Sequence, residues 1–270
     1  MIPTFLLCKE IRKHCKVALG GDGADELFGG YSHYNRYNDL SKFQKFVPRS
    51  LRSSLVNSAL KLLPRNIRGR KSLDLFGRDL KNLNFDSANL FNYGMRQKLF
   101  NNVSQLKKVT QEKKIISTDL IRSITYEDYN NYLSEDILVK VDRASMSASL
   151  EIRSPFLDSK ITEFAFLEVP TQLKIHNNQR KILPKLLAKK MLPNNFDYMR
   201  KQGFGFPVNE LFRSGDWHDF LHDKINSENN YFLNKVYCNQ LLSQQSKGNN
   251  LGEQLFAITL FLVWCEVYVN

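Results

Sequence analysis

Three acids, Asp22, Asp25 and Glu26, fall within five residues of one another inside the run Gly20-Gly21-Asp22-Gly23-Ala24-Asp25-Glu26-Leu27-Phe28-Gly29-Gly30-Tyr31. Carboxylates this close repel one another unless a divalent cation or a cationic partner sits among them, and hard cations take oxygen ligands of this kind. A plainer reading stands beside it, because acids in a first helical turn complement the helix dipole. A second group is Asp142-Arg143-Ala144-Ser145-Met146 followed by Glu151-Ile152-Arg153-Ser154-Pro155-Phe156-Leu157-Asp158, where Glu151 and Arg153 could pair with each other or with a substrate. A third is Arg200-Lys201-Gln202-Gly203-Phe204-Gly205-Phe206-Pro207, in which a cation precedes a Gly-rich turn able to approach phosphate closely. His218 and His222 are four apart, but no Glu follows His218 as a metalloprotease motif requires, and they read as surface residues, as do His14, His33 and His176.

The elements that must position these residues are mostly helical. Phe5 to His14 reads as a short amphipathic helix, with Pro3 and Thr4 as its start signals. Val17-Ala18-Leu19 is a continuous apolar run ending in Gly20-Gly21, the pattern of a buried parallel strand that delivers a loop to the carboxyl edge of a sheet, where open α/β sheets hold ligands. A brief acidic helix start and a Gly-Gly stop follow. Residues 41–115 read as short basic helices separated by Pro48, Pro64, Gly69 and Gly77. Thr118 to Ser149 has long helical periodicity, Pro155 ends it, and further helices are expected over Asp158 to Leu167, Asn178 to Met191 and Leu251 to Val269. Pro184 either kinks the Asn178 to Met191 helix or marks its true first turn. The expected fold class is mostly α with a small parallel-sheet remnant, an α/β arrangement, with Val17 to Leu19 its one clear strand.

Composition narrows the classes. With 270 residues, 42% of them hydrophobic, the chain can bury a real core and is neither disordered nor collagen-like. Its four cysteines, Cys8, Cys15, Cys238 and Cys265, include no CxxC pair and indicate neither a zinc site nor a disulfide framework, so a reduced, cytoplasmic setting is expected. The most apolar stretch, Gln254 to Cys265, is bracketed by Glu253 and Glu266 and falls well short of the roughly 20 residues that span a bilayer, so no membrane partner is expected. The net charge of +12 is local: residues 41–120 hold 17 Lys and Arg against 5 Asp and Glu. A nucleic-acid or anionic-lipid patch is one reading, but without a recognition motif or interleaved stacking aromatics nucleic acid is an unfavoured partner, and solvated basic faces toward an anionic partner fit better.

Taken in order, the three groups resemble the synthetase domain of the asparagine synthase family. Leu19 to Tyr31 is similar to that family's acidic loop, Met146 to Asp158 to its segment ending Leu-Glu-x-Arg-x-Pro-Phe-Leu-Asp, and Lys201 to Pro207 to its Lys-x-Gly-Phe-x-x-Pro turn. The helix containing Trp264-Cys265-Glu266 is similar too. Residues 1–37 and 118–270 carry the resemblance, and 38–117 match only as basic helical filler. The resemblance implies an incomplete adenine-nucleotide alpha-hydrolase-like (PP-loop ATPase) synthetase domain, with 1–270 the C-terminal part of an asparagine synthase domain, a family in which ATP and magnesium adenylate a carboxylate, aspartate or a related acceptor, and ammonia from glutamine then gives the amide. On that basis Asp25 would hold magnesium, Asp22 would act as acid or base at the reacting centre, and Lys201 would stabilise the phosphorus or the departing pyrophosphate. Gly20, Gly21, Gly23 and Arg180 would bind the nucleotide, and Glu151 and Arg153 would support the substrate pocket.

The sequence departs from the family pattern as well. No N-terminal Cys nucleophile follows Met1, and no Ser-Gly-Gly-x-Asp-Ser pyrophosphate loop occurs anywhere in the chain. Gly20 stands where Ser is common, and Arg180 and Pro184 stand where Lys and Arg are expected. The expectation is therefore a C-terminal fragment, a split-gene product or a decayed member. Alone it would be inactive; it would depend on a separately encoded N-terminal half or glutaminase, or keep the fold without catalysis for assembly or ligand binding. Uncovered apolar surface would favour association with a partner or with itself.

Overall fold

A computed structural model describes residues 1–63, 69–77, 80, 90–91, 93–101, 117, 119–193, 195–197 and 205–269. In chain order the helices and strands are α1 (Ile2–Ile11), β1 (Val17–Leu19), α2 (Ala24–Phe28), α3 (Ser32–Gln44), α4 (Arg49–Leu62), α5 (Arg70–Gly77), α6 (Tyr93–Leu99) and α7 (Leu120–Asp128). A π-helical segment, Tyr129–Ile137, leads into α8 (Leu138–Ser147), β2 (Glu151–Arg153), a 3-10 turn (Pro155–Leu157), α9 (Ser159–Leu167), α10 (Thr171–Lys174), β3 (Ile175–His176) and β4 (Gln179–Arg180). The chain continues with α11 (Ile182–Met191), α12 (Val208–Leu211), α13 (Asp216–Asn226), α14 (Lys235–Ser246) and α15 (Gly252–Tyr268). It divides into two compact units, residues 1–87 with 111–202 and residues 88–110 with 203–270.

The first unit carries the sheets. β1 pairs with β2 in parallel, with Val17 opposite Glu151, Ala18 opposite Ile152 and Leu19 opposite Arg153. β3 and β4 form an antiparallel hairpin. Helices pack behind them: Leu27 and Phe28 of α2 bury against Ala165 and Phe166 of α9 and Val169, while Tyr34, Ile121, Ile124 and Ile175 form a neighbouring cluster. Asp119 caps α7 by accepting from the Ile121 and Arg122 amides at 2.9 and 3.1 Å, and Asp158 caps α9 through the Lys160 amide at 2.9 Å. The second unit has its own core, centred on Phe212, Leu221, Ile225, Leu241, Leu255 and Ile258. There Lys224 and Glu266 tie α13 to α15 through an ion pair of 2.5 Å.

The structure revises several sequence expectations. α1 begins at Ile2 rather than Phe5, because Pro3 falls in the first turn, where its missing N–H costs nothing. β1 is parallel as expected but not buried: Val17 is 43% and Leu19 76% exposed, since among the described residues its only strand neighbour is β2. Val17 to Leu19 is not alone: among the described residues there are three further strands, β2 beside it and β3 and β4 in a separate hairpin. Arg180 lies in β4 rather than in a helix, because Asn177 and Asn178 take φ of 45° and 61° and fold the chain into a tight two-residue hairpin turn. The helix starts only at Ile182, so Pro184 marks its first turn rather than a kink. Pro48 precedes α4, Gly69 precedes α5 and Gly77 ends it, as their punctuation implies. Pro64 lies outside the described residues.

Candidate functional site

The site is built on the loop that leaves β1. The Gly20 amide donates to the Arg153 carbonyl at 2.8 Å, extending the β1–β2 ladder by one bond. A Cβ on Gly20 would come within 2.8 Å of Asp22 Oδ2 and 2.9 Å of Ile152 Cγ2, so the absence of a side chain lets the Asp22 carboxylate fold back over the strand end. The Ser154 hydroxyl donates to Asp22 Oδ2 at 3.4 Å. Gly21 faces open space, with nothing within 4 Å of a hypothetical Cβ. Gly23, at φ 89°, opens α2 in a left-handed conformation, and a Cβ there would overlap the Leu157 side chain. Gly23→Ala should therefore destabilise the first unit by about 2 to 4 kcal/mol, combining left-handed strain with overpacking, and chemical denaturation will measure it.

α2 sends its two acids to different environments, as neighbouring positions on a helix must. Glu26 is 1% exposed and accepts a 2.5 Å bond from the Tyr31 hydroxyl. Burial holds its carboxyl above the usual range and likewise pushes the Tyr31 phenol up. Asp25 stays about a third exposed, with Oδ1 3.1 Å from the Lys181 ammonium. That oxygen is itself buried and accepts no hydrogen bond, so among the described residues it is balanced by charge alone. Gly30 makes room for the pair: any Cβ there would collide with both the Asp25 carboxylate and the Lys181 stem. The Gly30 amide closes α2 by donating to the Asp25 carbonyl at 2.8 Å, and Arg180 donates to the Gly30 carbonyl at 2.9 Å.

The sequence-derived residues thus separate by position. Gly20, Gly21, Asp22, Gly23 and Asp25 share one loop and helix start. Arg180 reaches that loop only through the Gly30 carbonyl and acts on its shape. Glu151 and Arg153, 54% and 67% exposed, bond each other at 2.8 Å on β2, the first of the two pairings open to them. Lys201 lies outside the described residues.

Two residues were missed. Lys181 faces Asp25 from the start of α11 with a φ of 53°, a left-handed conformation that is uncommon for a lysine and that clusters at functional sites. His33, read as a surface residue, bonds the almost fully buried Asp128 at 2.9 Å and stacks on Tyr31 with ring centroids 5.4 Å apart. Neither pairing leaves a local signal, since the partners lie far apart in sequence. The Asn177-Asn178 dipeptide could have announced the hairpin that delivers Lys181.

As to a metal, two hard carboxylates and an under-satisfied Asp25 oxygen suit a magnesium ion, which takes one or two protein carboxylates and fills its remaining positions with water and phosphate. Among the described residues no three His, Cys, Asp or Glu are grouped to hold an ion unaided. The two carboxylates would supply only part of such an ion's ligands.

Comparison with known proteins places the chain. The model of the family described as Asparagine synthase matches residues 1–266. Asparagine synthetase [glutamine-hydrolyzing] 1 of Bacillus subtilis (strain 168) is 28% identical over 277 residues, covering 100% of this chain and 43% of the relative. A putative asparagine synthetase [glutamine-hydrolyzing] of Mycobacterium tuberculosis (strain ATCC 25618 / H37Rv) is 27% identical over 279 residues, 100% of this chain and 42% of the relative. Asparagine synthetase [glutamine-hydrolyzing] 3 of Bacillus subtilis is 25% identical over 281 residues, 97% of this chain and 40% of the relative. No solved structure matches. The chain spans about two-fifths of the length of these curated relatives, and with the family pattern running through nearly all of it, this chain belongs to the asparagine synthase family.

Proposed function

We propose that the chain supplies part of the synthetase activity of an asparagine synthase-like amidotransferase, forming an amide on aspartate or a related carboxylate at the expense of ATP. The observation that carries this reading is the β1–α2 loop, which holds Asp22 at a strand end and Asp25 beside a lysine, with an adjacent glycine where nothing larger fits. In this reading Asp25 holds magnesium on the pyrophosphate, and the ion neutralises phosphate charge. Asp22, steadied by Ser154, takes the proton from attacking ammonia, a role that suits a carboxylate at the edge of the site. Gly21, which faces open space, lets the nucleotide approach the backbone, Gly20 and Gly23 shape the loop beside it, and Lys201 supplies a cation for the departing pyrophosphate. Arg180 shapes the loop, and Glu151 and Arg153 border the substrate pocket.

The same reading expects the chain to need the rest of its relatives' length. Val17, Leu19, Ile2 and Leu6 expose apolar surface on β1 and α1, which a further strand and its loop would cover. The isolated chain should release no pyrophosphate from ATP with aspartate and ammonium. Adding the remaining synthetase and glutaminase portion of a relative in trans should produce a complex by sedimentation and restore release. Robust turnover by the chain alone would show that the site is complete as it stands. A complex without turnover would favour a non-catalytic role for the fold.

A further inference from the structure

α2 ends in two consecutive glycines, and a side-chain bond reinforces the backbone that closes this turn. The Tyr31 hydroxyl donates to Glu26 Oε1 at 2.5 Å, so the residue after Asp25 is tied to the residue after Gly30. Gly29, at φ 70°, and Gly30 have no side chains of their own to hold the turn shut. Gly30 is also the wall against Asp25, since a Cβ there would overlap Oδ1 of that carboxylate, and its amide donates to the Asp25 carbonyl. Opening the turn therefore withdraws the wall from the Asp25 carboxylate, and the Tyr31–Glu26 bond spans the segment that would open.

Tyr31 is itself held by three rings. His33 stacks on it with an interplanar angle of 17°, and Tyr34 and Tyr132 meet it at centroid distances of 5.7 and 5.8 Å. His33 is fixed in turn by the buried Asp128 at 2.9 Å. Asp128 ends α7, and Tyr132 belongs to the π-helical segment that follows, a rare helix type found frequently at functional sites. A cluster that only filled space would have no use for the Tyr31 hydroxyl, because phenylalanine fills nearly the same volume. Nor would it bury a carboxyl at 1% exposure, which costs free energy unless a donor meets it.

We propose that Tyr31 is a positioning residue for Asp25: its bond to Glu26, aimed by His33, Asp128 and Tyr132, holds the Gly29–Gly30 turn closed on the Asp25 carboxylate, which, on the reading of Asp25 as the residue that holds magnesium, sets how much magnesium the reaction requires. A carboxylate free to swing must be ordered again whenever the ion arrives, whereas one walled by Gly30 and faced by Lys181 is already placed. Magnesium demands near-ideal geometry of its ligands and so responds to that loss of order. Tyr31 acts through the turn and touches neither substrate nor ion, so removing its hydroxyl raises the magnesium requirement and leaves the rate at saturating magnesium nearly intact.

Hydrogen exchange on the isolated chain tests the tether, and pyrophosphate release by the chain complemented in trans tests what the tether does. In Tyr31→Phe the Gly30 amide should exchange roughly tenfold faster. The complemented variant should need roughly tenfold more magnesium for half-maximal release, with a saturated rate within about twofold of the parent's. Phenylalanine leaves the Glu26 carboxyl buried without this donor, so the single variant also loses stability. Tyr31→Phe/Glu26→Met removes both polar partners and should recover the parent's denaturation midpoint while keeping the fast Gly30 exchange and the raised magnesium requirement. Unchanged Gly30 exchange in Tyr31→Phe, an unchanged magnesium requirement in a complemented variant that turns over, or a double variant whose magnesium requirement returns together with its stability would overturn the proposal. Absence of turnover by the complemented parent would instead overturn the synthetase reading, and the Gly30 exchange rate would still decide whether Tyr31 holds the turn.

Discussion

Replacing Lys174 with methionine should stabilise the protein by about 3 kcal/mol at neutral pH, against the usual direction for a core substitution. Lys174 ends α10, is 1% exposed, and its ammonium has no hydrogen-bond partner among the described residues. The natural counter-ion is already engaged: Asp119 Oδ1 caps the Ile121 and Arg122 amides, and Oδ2 accepts a 2.5 Å bond from the Thr171 hydroxyl. What faces Lys174 instead is the Phe166 ring, 4.9 Å away, with Arg122 repelling and Asp119 attracting through space. Burial, the largest effect, pushes the amine down from 10.5 to about 8. The folded state thus binds its proton more weakly than the unfolded state. The penalty is complete below about pH 8, shrinks as pH rises through the interval, and is gone above about 10.5. Methionine keeps an unbranched stem of similar reach and removes the charge. Denaturant titrations should therefore show a gain at pH 7 that vanishes by about pH 10.5, and thermal unfolding should rise by roughly 5 to 10 °C. Loss of stability at pH 7 would mean that the ring and Asp119 already outweigh desolvation.

The same competition between local signal and distant partner decides what the sequence could reveal. β1 and α2 were legible because their punctuation is local: three apolar residues run into paired glycines, and a second glycine pair ends the acidic turn. Pro48, Gly69 and Gly77 marked helix limits for the same reason. β2 was not legible, since Glu-Ile-Arg is too short to show a period of two and is a strand only because β1 lies beside it, more than a hundred residues earlier. The π segment between α7 and α8 keeps the helical pattern of its neighbours and leaves no mark in composition. Spacing grouped Asp22, Asp25 and Glu26 but left them open between cation binding and complementing the helix dipole, and it gave no sign of the cation facing Asp25, because Lys181 reaches it through a hairpin whose strands are two residues each.

That hairpin gives the site its logic. β3 and β4 fix where α11 begins, and Arg180 and Lys181, consecutive at that point, grip the glycine loop in two ways: one bonds the Gly30 carbonyl and the other pairs with Asp25. A lysine in this place faces the Asp25 carboxylate with an opposite charge, and it can yield when a divalent cation offers stronger compensation.

Asp25→Asn in the complemented enzyme should therefore separate chemistry from stability. The Asp25–Lys181 pair is about one-third exposed on both sides, and a pair so placed contributes no more than about 1 kcal/mol, so the variant should fold and sediment like the parent. Asparagine is nearly isosteric and clears Gly30 as aspartate does, so the loop keeps its shape. On the role proposed for Asp25, what it cannot do is neutralise a divalent ion on pyrophosphate. Loss of one electrostatic contact of this kind costs about a hundredfold to a thousandfold in turnover, and pyrophosphate release should fall by that much. Lys181→Met gives the complementary case, since it leaves the proposed metal ligand in place and removes the cation beside it. Turnover should drop less than for Asp25→Asn, and a larger share of the loss should be recovered by raising magnesium. Equal losses in both variants with no response to magnesium would assign Asp25 to holding the loop rather than the metal.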